Sequence, residues 1–273
     1  MGVCIYRGRG VVQEQSAGTM KFVFLSILVG VALAAPNRVL FPKTGKEWTP
    51  ASLINPEELG DYFEGDIVGP VPALLKNGLI DEKYRWPNGV VTYEFDSLFA
   101  EELRTVVQQA MDEYAVLTDG CITFVERTTE DDYVTFTQDD TDGCHSYVGK
   151  IGGSQQINYP EWCLEQYGSV QHEMYHALGF HHEQSRTDRD DYVTIMWDHI
   201  SSGHEHNFNK YSADVISGFG ENYDYGSVMH YSAYAFSADG EKTIVTIDPD
   251  AVIGQREKLS EVDIRKLMNM YKC

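Results

Sequence analysis

Apolar residues along the chain fall into runs of distinct period. Lys21 opens a nearly unbroken apolar stretch, Phe22 to Ala34, that closes with Ala32-Leu33-Ala34 ahead of Ala35-Pro36. A basic start, a short apolar body and small residues at the end predict a secretory signal, too short to span a bilayer as a mature helix. Residues 1–19 show no period, and the signal pattern begins at Met20, so Met1 and Met20 are both candidate starts. Residues 35–76 carry six prolines and scattered charge with no sustained apolar period. Such a segment does not build a core alone, and its place behind a signal predicts a pro-segment.

Beyond residue 76 the pattern becomes that of a folded domain. Pro87-Asn88-Gly89 marks a turn before a strand at Val90 to Phe95. Leu103, Val106, Val107, Ala110, Met111, Tyr114 and Leu117 recur at helical spacing and stop at Gly120, a stripe that predicts core contact. Further strands are predicted at Cys121 to Val125, Tyr133 to Thr137 and Ser146 to Ile151. The glycine-rich Ile151 to Tyr159 reads as an edge strand open to an extended peptide, or as an ordinary hairpin. Little regular pattern lies between Tyr192 and Glu221. A last helix is predicted from Ser260, as N-cap, to Tyr271, with Asp263 at its third position and Ile264, Leu267, Met268 and Tyr271 as its apolar stripe. These elements predict an α+β fold with a twisted sheet.

Composition narrows the class. At 273 residues and 42% hydrophobic the chain fills one domain or two lobes. A net charge of −21 argues against nucleic acid and against an anionic membrane surface. No second stretch is long and apolar enough for a membrane anchor, so a soluble mature protein is expected. Cys4 precedes the signal, leaving Cys121, Cys144, Cys163 and Cys273, which in an oxidising compartment predict two disulfides with three possible pairings. No Asn-x-Ser/Thr site is present, so N-glycosylation is not expected.

The candidate chemistry lies between His172 and Asp190. His172 and His176 are four apart and share a helix face, with Glu173 beside them. A continuing helix would carry His182 away from that face, and Gly179 provides the turn that brings it back. Three imidazoles with no fourth protein ligand make an open, catalytic zinc site, not a closed structural one, and one zinc ion is expected. Zinc brings the pKa of water to about 7, and Glu173 is placed to take its proton. His145, His181, His199, His204, His206 and His230 are given no ligand role, although His204-Glu205-His206 superficially suggests a second metal site.

At His172-Glu-Met-Tyr-His-Ala-Leu-Gly-Phe-His-His-Glu183 the sequence resembles the metzincin metalloproteases, and the continuation to Asp190 resembles the astacin family. The resemblance runs over nearly all of Asn77 to Cys273. It implies a two-lobed catalytic domain over residues 77–273. The N-terminal lobe would hold the sheet and zinc helix, and an irregular C-terminal lobe would end in a helix. It implies pairing of Cys121 with Cys273 and of Cys144 with Cys163, and a tight turn at Met229 beneath the histidines. Tyr231 would reach the zinc at rest and stabilise the oxyanion during attack. Phe63-Glu64-Gly65-Asp66 matches a motif whose aspartate, Asp66, occupies the zinc until the pro-segment is cut. A trypsin-like protease would cut at Lys76-Asn77, and the new amino terminus would reach Glu183. In this reading residues 1–34 are the extension and signal, and residues 35–76 the inhibitory segment. The strand at Ile151 to Tyr159 would bind substrate main chain. The expected protein is a secreted, monomeric zinc endopeptidase acting on proteins or peptides. The competing classes are an inactive binding protein on the same fold and a zinc-stabilised extracellular structural protein.

Overall fold

The computed structural model describes residues 40–69, 81–212 and 217–273. The signal segment, Cys4 and the Lys76-Asn77 cleavage point lie outside the described residues.

Alternating and apolar strand patterns produce one five-stranded sheet from β1 (Val90–Phe95), β2 (Thr123–Glu126), β3 (Tyr133–Thr137), β4 (His145–Ser146) and β5 (Ser154–Asn158), in the order β2-β1-β3-β5-β4. Every pairing is parallel except β4 with β5. Parallel neighbours need a crossover, and α1 (Arg104–Leu117) is the one between β1 and β2. It buries Val107, Ala110, Met111 and Tyr114, the middle of the expected stripe. After the short α2 (Glu161–Leu164), α3 (Tyr167–Ala177) packs against α1 and is buried on every side from Gly168 to Ala177. The Tyr114 hydroxyl donates to Gln171 O at 2.7 Å and Tyr159 to Val170 O at 2.6 Å, so the aromatic core also satisfies the backbone of α3.

The exit of α3 is pinned from three sides. Its last carbonyls have no partner within the helix. His176 O accepts from Gly149 N at 2.9 Å, Ala177 O from the Trp86 indole at 2.9 Å and Leu178 O from the Tyr271 hydroxyl at 2.9 Å. Gly179 then turns the chain at φ +113°, a conformation that favours glycine. These bonds explain a departure from the sequence reading: the strand expected over Ser146–Ile151 is only His145–Ser146. Gly149 instead turns at φ +73°, where a Cβ would stand 2.8 Å from Tyr84 O.

A second departure concerns the sheet edge. Strand β5 lies between β3 and β4, so Ile151 to Tyr159 is not the open edge; that place belongs to the antiparallel β4.

A smaller apolar cluster, with Val193, Ile195, Ile200, Phe208, Tyr223 and Ile244 among its members, forms the C-terminal lobe. Its only regular pairing among the described residues is β6 (Val193–Ile195) with β7 (Ile244–Thr246), each too short to leave a sequence period. The closing helix α4 (Glu261–Tyr271) has the expected capping box between Ser260 and Asp263. Its buried face differs from the expected stripe: Leu267 is joined by Met270 rather than Met268, and by Asp263 and Lys266. The two polar residues are buried because partners across the lobe satisfy them.

Both cystine pairings match the resemblance: Cys121 with Cys273 and Cys144 with Cys163. The first ties the start of the β2 segment to the end of α4 across 152 positions of sequence. Replacing both Cys121 and Cys273 by serine is expected to lower stability by roughly 2–5 kcal/mol, because the unfolded chain regains loop entropy. Urea unfolding would register this as a lower midpoint, and an unmoved midpoint would refute it.

Candidate active site

The α3 helix places His172 and His176 one turn apart with ring centroids 4.7 Å from each other. Beyond Gly179, the His182 ring comes within 5.2 Å of His172 and 4.8 Å of His176. Each Nδ1 is engaged from outside the cluster. His172 Nδ1 donates to Val228 O at 2.8 Å, His176 Nδ1 to Phe180 O at 2.7 Å, and His182 Nδ1 to Glu64 Oε2 at 2.8 Å. A carbonyl can only accept, so the proton of His172 and of His176 sits on Nδ1. Their Nε2 lone pairs therefore turn inward.

Inward they meet one another and Asp66. The aspartate Oδ2 lies 3.0 Å from His172 Nε2 and 3.3 Å from His182 Nε2, and its Oδ1 lies 3.5 Å from His176 Nε2. The four donor atoms all lie within 4.8 Å of one another, and all four residues are buried. His172 Nε2 and His182 Nε2 are only 3.3 Å apart, and His176 Nε2 and Asp66 Oδ1 have no hydrogen-bond partner. Buried acceptors crowded together without donors fit a cation, and a nitrogen-rich set with one carboxylate suits zinc.

Glu173 follows the first ligand, is fully buried, and neither of its carboxylate oxygens has a partner. Burial, then the Asp66 and Glu57 carboxylates, push its carboxyl well above the ordinary range.

Met229 is buried in a turn closed by His230 N to Ser227 O at 3.1 Å, and its own carbonyl accepts from Glu183 N at 3.0 Å. The Tyr231 ring lies 4.6 Å from His182, but its hydroxyl donates to Glu64 O at 2.6 Å. Glu183 is no surface acid: it is buried, 2.6 Å from Lys266 Nζ and 3.5 Å from Arg186, and accepts from Asp224 N at 2.8 Å. A small cavity lined by Phe180, His181, Glu183, Arg186, Ser217 and Lys266 adjoins it.

The remaining histidines turn elsewhere. His181 packs on Tyr211, His204 on Phe236, His206 on Phe63, and buried His145 lies against Tyr62. His230 Nδ1 bonds Tyr231 O, and its Nε2 accepts from the Tyr223 hydroxyl.

Several buried residues of the upstream segment escaped the sequence reading. Glu64, at φ +53°, also accepts from Ser185 Oγ at 3.1 Å, while its N–H donates to Asn207. Asp66 O accepts from Ser146 N, and Val68 N donates to Ser146 O, both at 2.9 Å, so residues 66–68 lie along the β4 edge. Pro56–Leu59 forms a short 3-10 turn that inserts two acids. Glu57 pairs with Arg256 and accepts from Ser169 Oγ, and Glu58 accepts from Ser232 N and Oγ at 2.6 and 2.7 Å. The one available signal was Asn55-Pro-Glu-Glu58, a capping-box spacing that predicts a helical turn but not its burial.

A buried three-histidine cluster with an unpaired carboxylate beside it has the donor set of a metal-dependent hydrolase. Residues 78–272 match the model of the peptidase family described as Astacin. The chain is 40% identical over 226 residues to "Zinc metalloproteinase nas-4" of Caenorhabditis elegans, covering 79% of this chain and 70% of that protein. It is 43% identical over 257 residues to "Meprin A subunit beta" of Homo sapiens, covering 92% of this chain and 35% of the relative. The fold is similar to that of High choriolytic enzyme 1, a hatching enzyme zinc-protease from Oryzias latipes. That match has a TM-score of 0.65 and 36% identity, covering 71% of this chain and 96% of that one. The chain thus spans between about a third and 70% of the length of these curated relatives. It belongs to the astacin family.

Arg256→Met strands the buried Glu57 carboxylate and is expected to cost roughly 3–5 kcal/mol of stability, most of it recovered when Glu57→Met is added. A double-mutant cycle by equilibrium unfolding checks the pairing, which strictly additive losses would contradict.

Proposed function

We propose that the chain is the precursor of a secreted zinc endopeptidase, with residues 35–76 as the inhibitory segment and 77–273 as the catalytic domain. The observation that carries this reading is the Asp66 carboxylate standing among the Nε2 atoms of His172, His176 and His182. The signal-like run at Phe22 to Ala34 supports secretion. No described helix is long and apolar enough to cross a membrane.

His172, His176 and His182 would hold one zinc ion, joined by Asp66 in the precursor. Bound there, zinc supplies Lewis-acid polarisation of the scissile carbonyl and lowers the pKa of water. Cleavage by a trypsin-like protease at Lys76-Asn77 lets the upstream segment leave. Its departure vacates the β4 edge, where Ser146 N and O become available to the main chain of an extended substrate. Glu173, with no partner of its own, takes the proton of the attacking water and returns it to the leaving amine. The Tyr231 hydroxyl, released from Glu64 O, is free to donate to the oxyanion without bringing a charge. The new amino terminus at Asn77 joins the Glu183 carboxylate, a reading supported by the burial of that acid and by the cavity adjoining it.

Latency in this reading has two parts, because Asp66 takes the metal position while Glu64 takes Tyr231 and His182 Nδ1.

In the activated enzyme, Glu173→Ala is expected to lower peptide turnover by about 10²- to 10⁴-fold while zinc content stays at that of the parent. Undiminished cleavage would remove Glu173 as the base and with it the mechanism. The uncut Asp66→Ala precursor is expected to cleave a peptide that the uncut parent does not, and adding Glu64→Ala should raise that activity further. Full latency in both variants would exclude the segment as the inhibitor.

A further inference from the structure

The last helix carries a buried carboxylate aimed at the underside of the metal cluster. Asp263 Oδ1 accepts from Ser227 Oγ at 2.6 Å, and its Oδ2 accepts from the backbone N–H of Val228 at 2.9 Å and of Ser260 at 3.0 Å. Ser227 Oγ in turn accepts from Met229 N at 3.1 Å. The carbonyl between these two held N–H groups is that of Val228, and it accepts from His172 Nδ1 at 2.8 Å.

We infer that Asp263 is a positioning residue for the His172 ligand, acting through the Val228–Met229 peptide. A peptide unit is planar, so the direction of Val228 C=O is set by the direction of Met229 N–H. Asp263 grips that N–H through Ser227 Oγ and grips the preceding N–H of Val228 directly. Both planes flanking Val228 Cα are thereby fixed. The carbonyl they aim at His172 holds its proton on Nδ1 and its Nε2 lone pair toward Asp66. A carboxylate suits this place because each of its three partners here is a donor. Burial of Asp263 excludes water that would otherwise compete for them. Asp263 also accepts through Oδ2 within the α4 capping box, so one side chain couples the start of the last helix to a metal ligand on α3.

The inference rests on the zinc reading above, and its test separates the two. Zinc affinity of the full chain is measured by competition with a chromogenic chelator, and the ligand field by the visible spectrum of the cobalt-substituted protein. Ser227→Ala breaks the link to Met229 N while leaving the α4 cap, and Asp263→Ala removes both grips. Each is expected to weaken zinc by about 10- to 100-fold, the range for loss of an outer hydrogen bond to a ligand, and to shift the cobalt bands. Ser260→Ala, which removes the side-chain cap but leaves both grips on the turn, should lower thermal stability without altering zinc affinity or the spectrum. Unchanged affinity and spectrum in Ser227→Ala would overturn the proposal even if Asp263→Ala fails to fold. So would an equal loss of affinity in Ser260→Ala, which would make the effect one of helix stability. A parent chain that binds no zinc would overturn the metal reading itself.

Discussion

The site depends on one constraint: each of three imidazoles has its outer nitrogen occupied, so that its inner nitrogen has nowhere to direct its lone pair except the common centre. Three ligands lie within eleven consecutive positions, His172 to His182, but their outer partners do not. Phe180 is local, Val228 belongs to the turn before Tyr231, and Glu64 belongs to the upstream segment. The cluster is thus written compactly in sequence and assembled only when distant parts of the chain have met. Crowding unprotonated acceptors at 3.3 Å in a buried space is unfavourable unless a cation offsets it. An ion bound there would therefore be linked to folding, as in other proteins whose ligand sites exist only in the folded state.

How legible was this in advance? The histidine spacing and Gly179 were sufficient to foresee that the three rings meet, because α-helical geometry and a glycine turn are local properties. Strands β1 and β3 and helices α1 and α4 were found from period alone, β1 and β3 to the residue. What failed was set by contacts distant in sequence. The edge position of β4 depends on strand order, which no local period encodes, and the turn at Gly149 answers to the carbonyls at the end of α3. The burial of Asp263 and Lys266 was invisible because charged residues on a helix ordinarily face water. The disulfide pairing came from the family resemblance and not from the residues.

The upstream segment places four acids inside the fold. Glu57, Glu58, Glu64 and Asp66 are all buried, each with partners on the folded domain: Arg256, Ser232, the Tyr231–His182 pair and the three imidazoles. Carboxylates are costly to bury, so their fit is demanding, and a shift in register would leave several unpaired at once. The segment also buries Trp48, Ile54 and Ile67, so apolar contact and these paired acids hold it together.

Glu64 joins two groups that perform different tasks. Its carboxylate orients a ligand ring while its backbone oxygen, on the same residue, detains the Tyr231 phenol. In the proposed activation, removal of this one residue would free the phenol and loosen the ring in the same event.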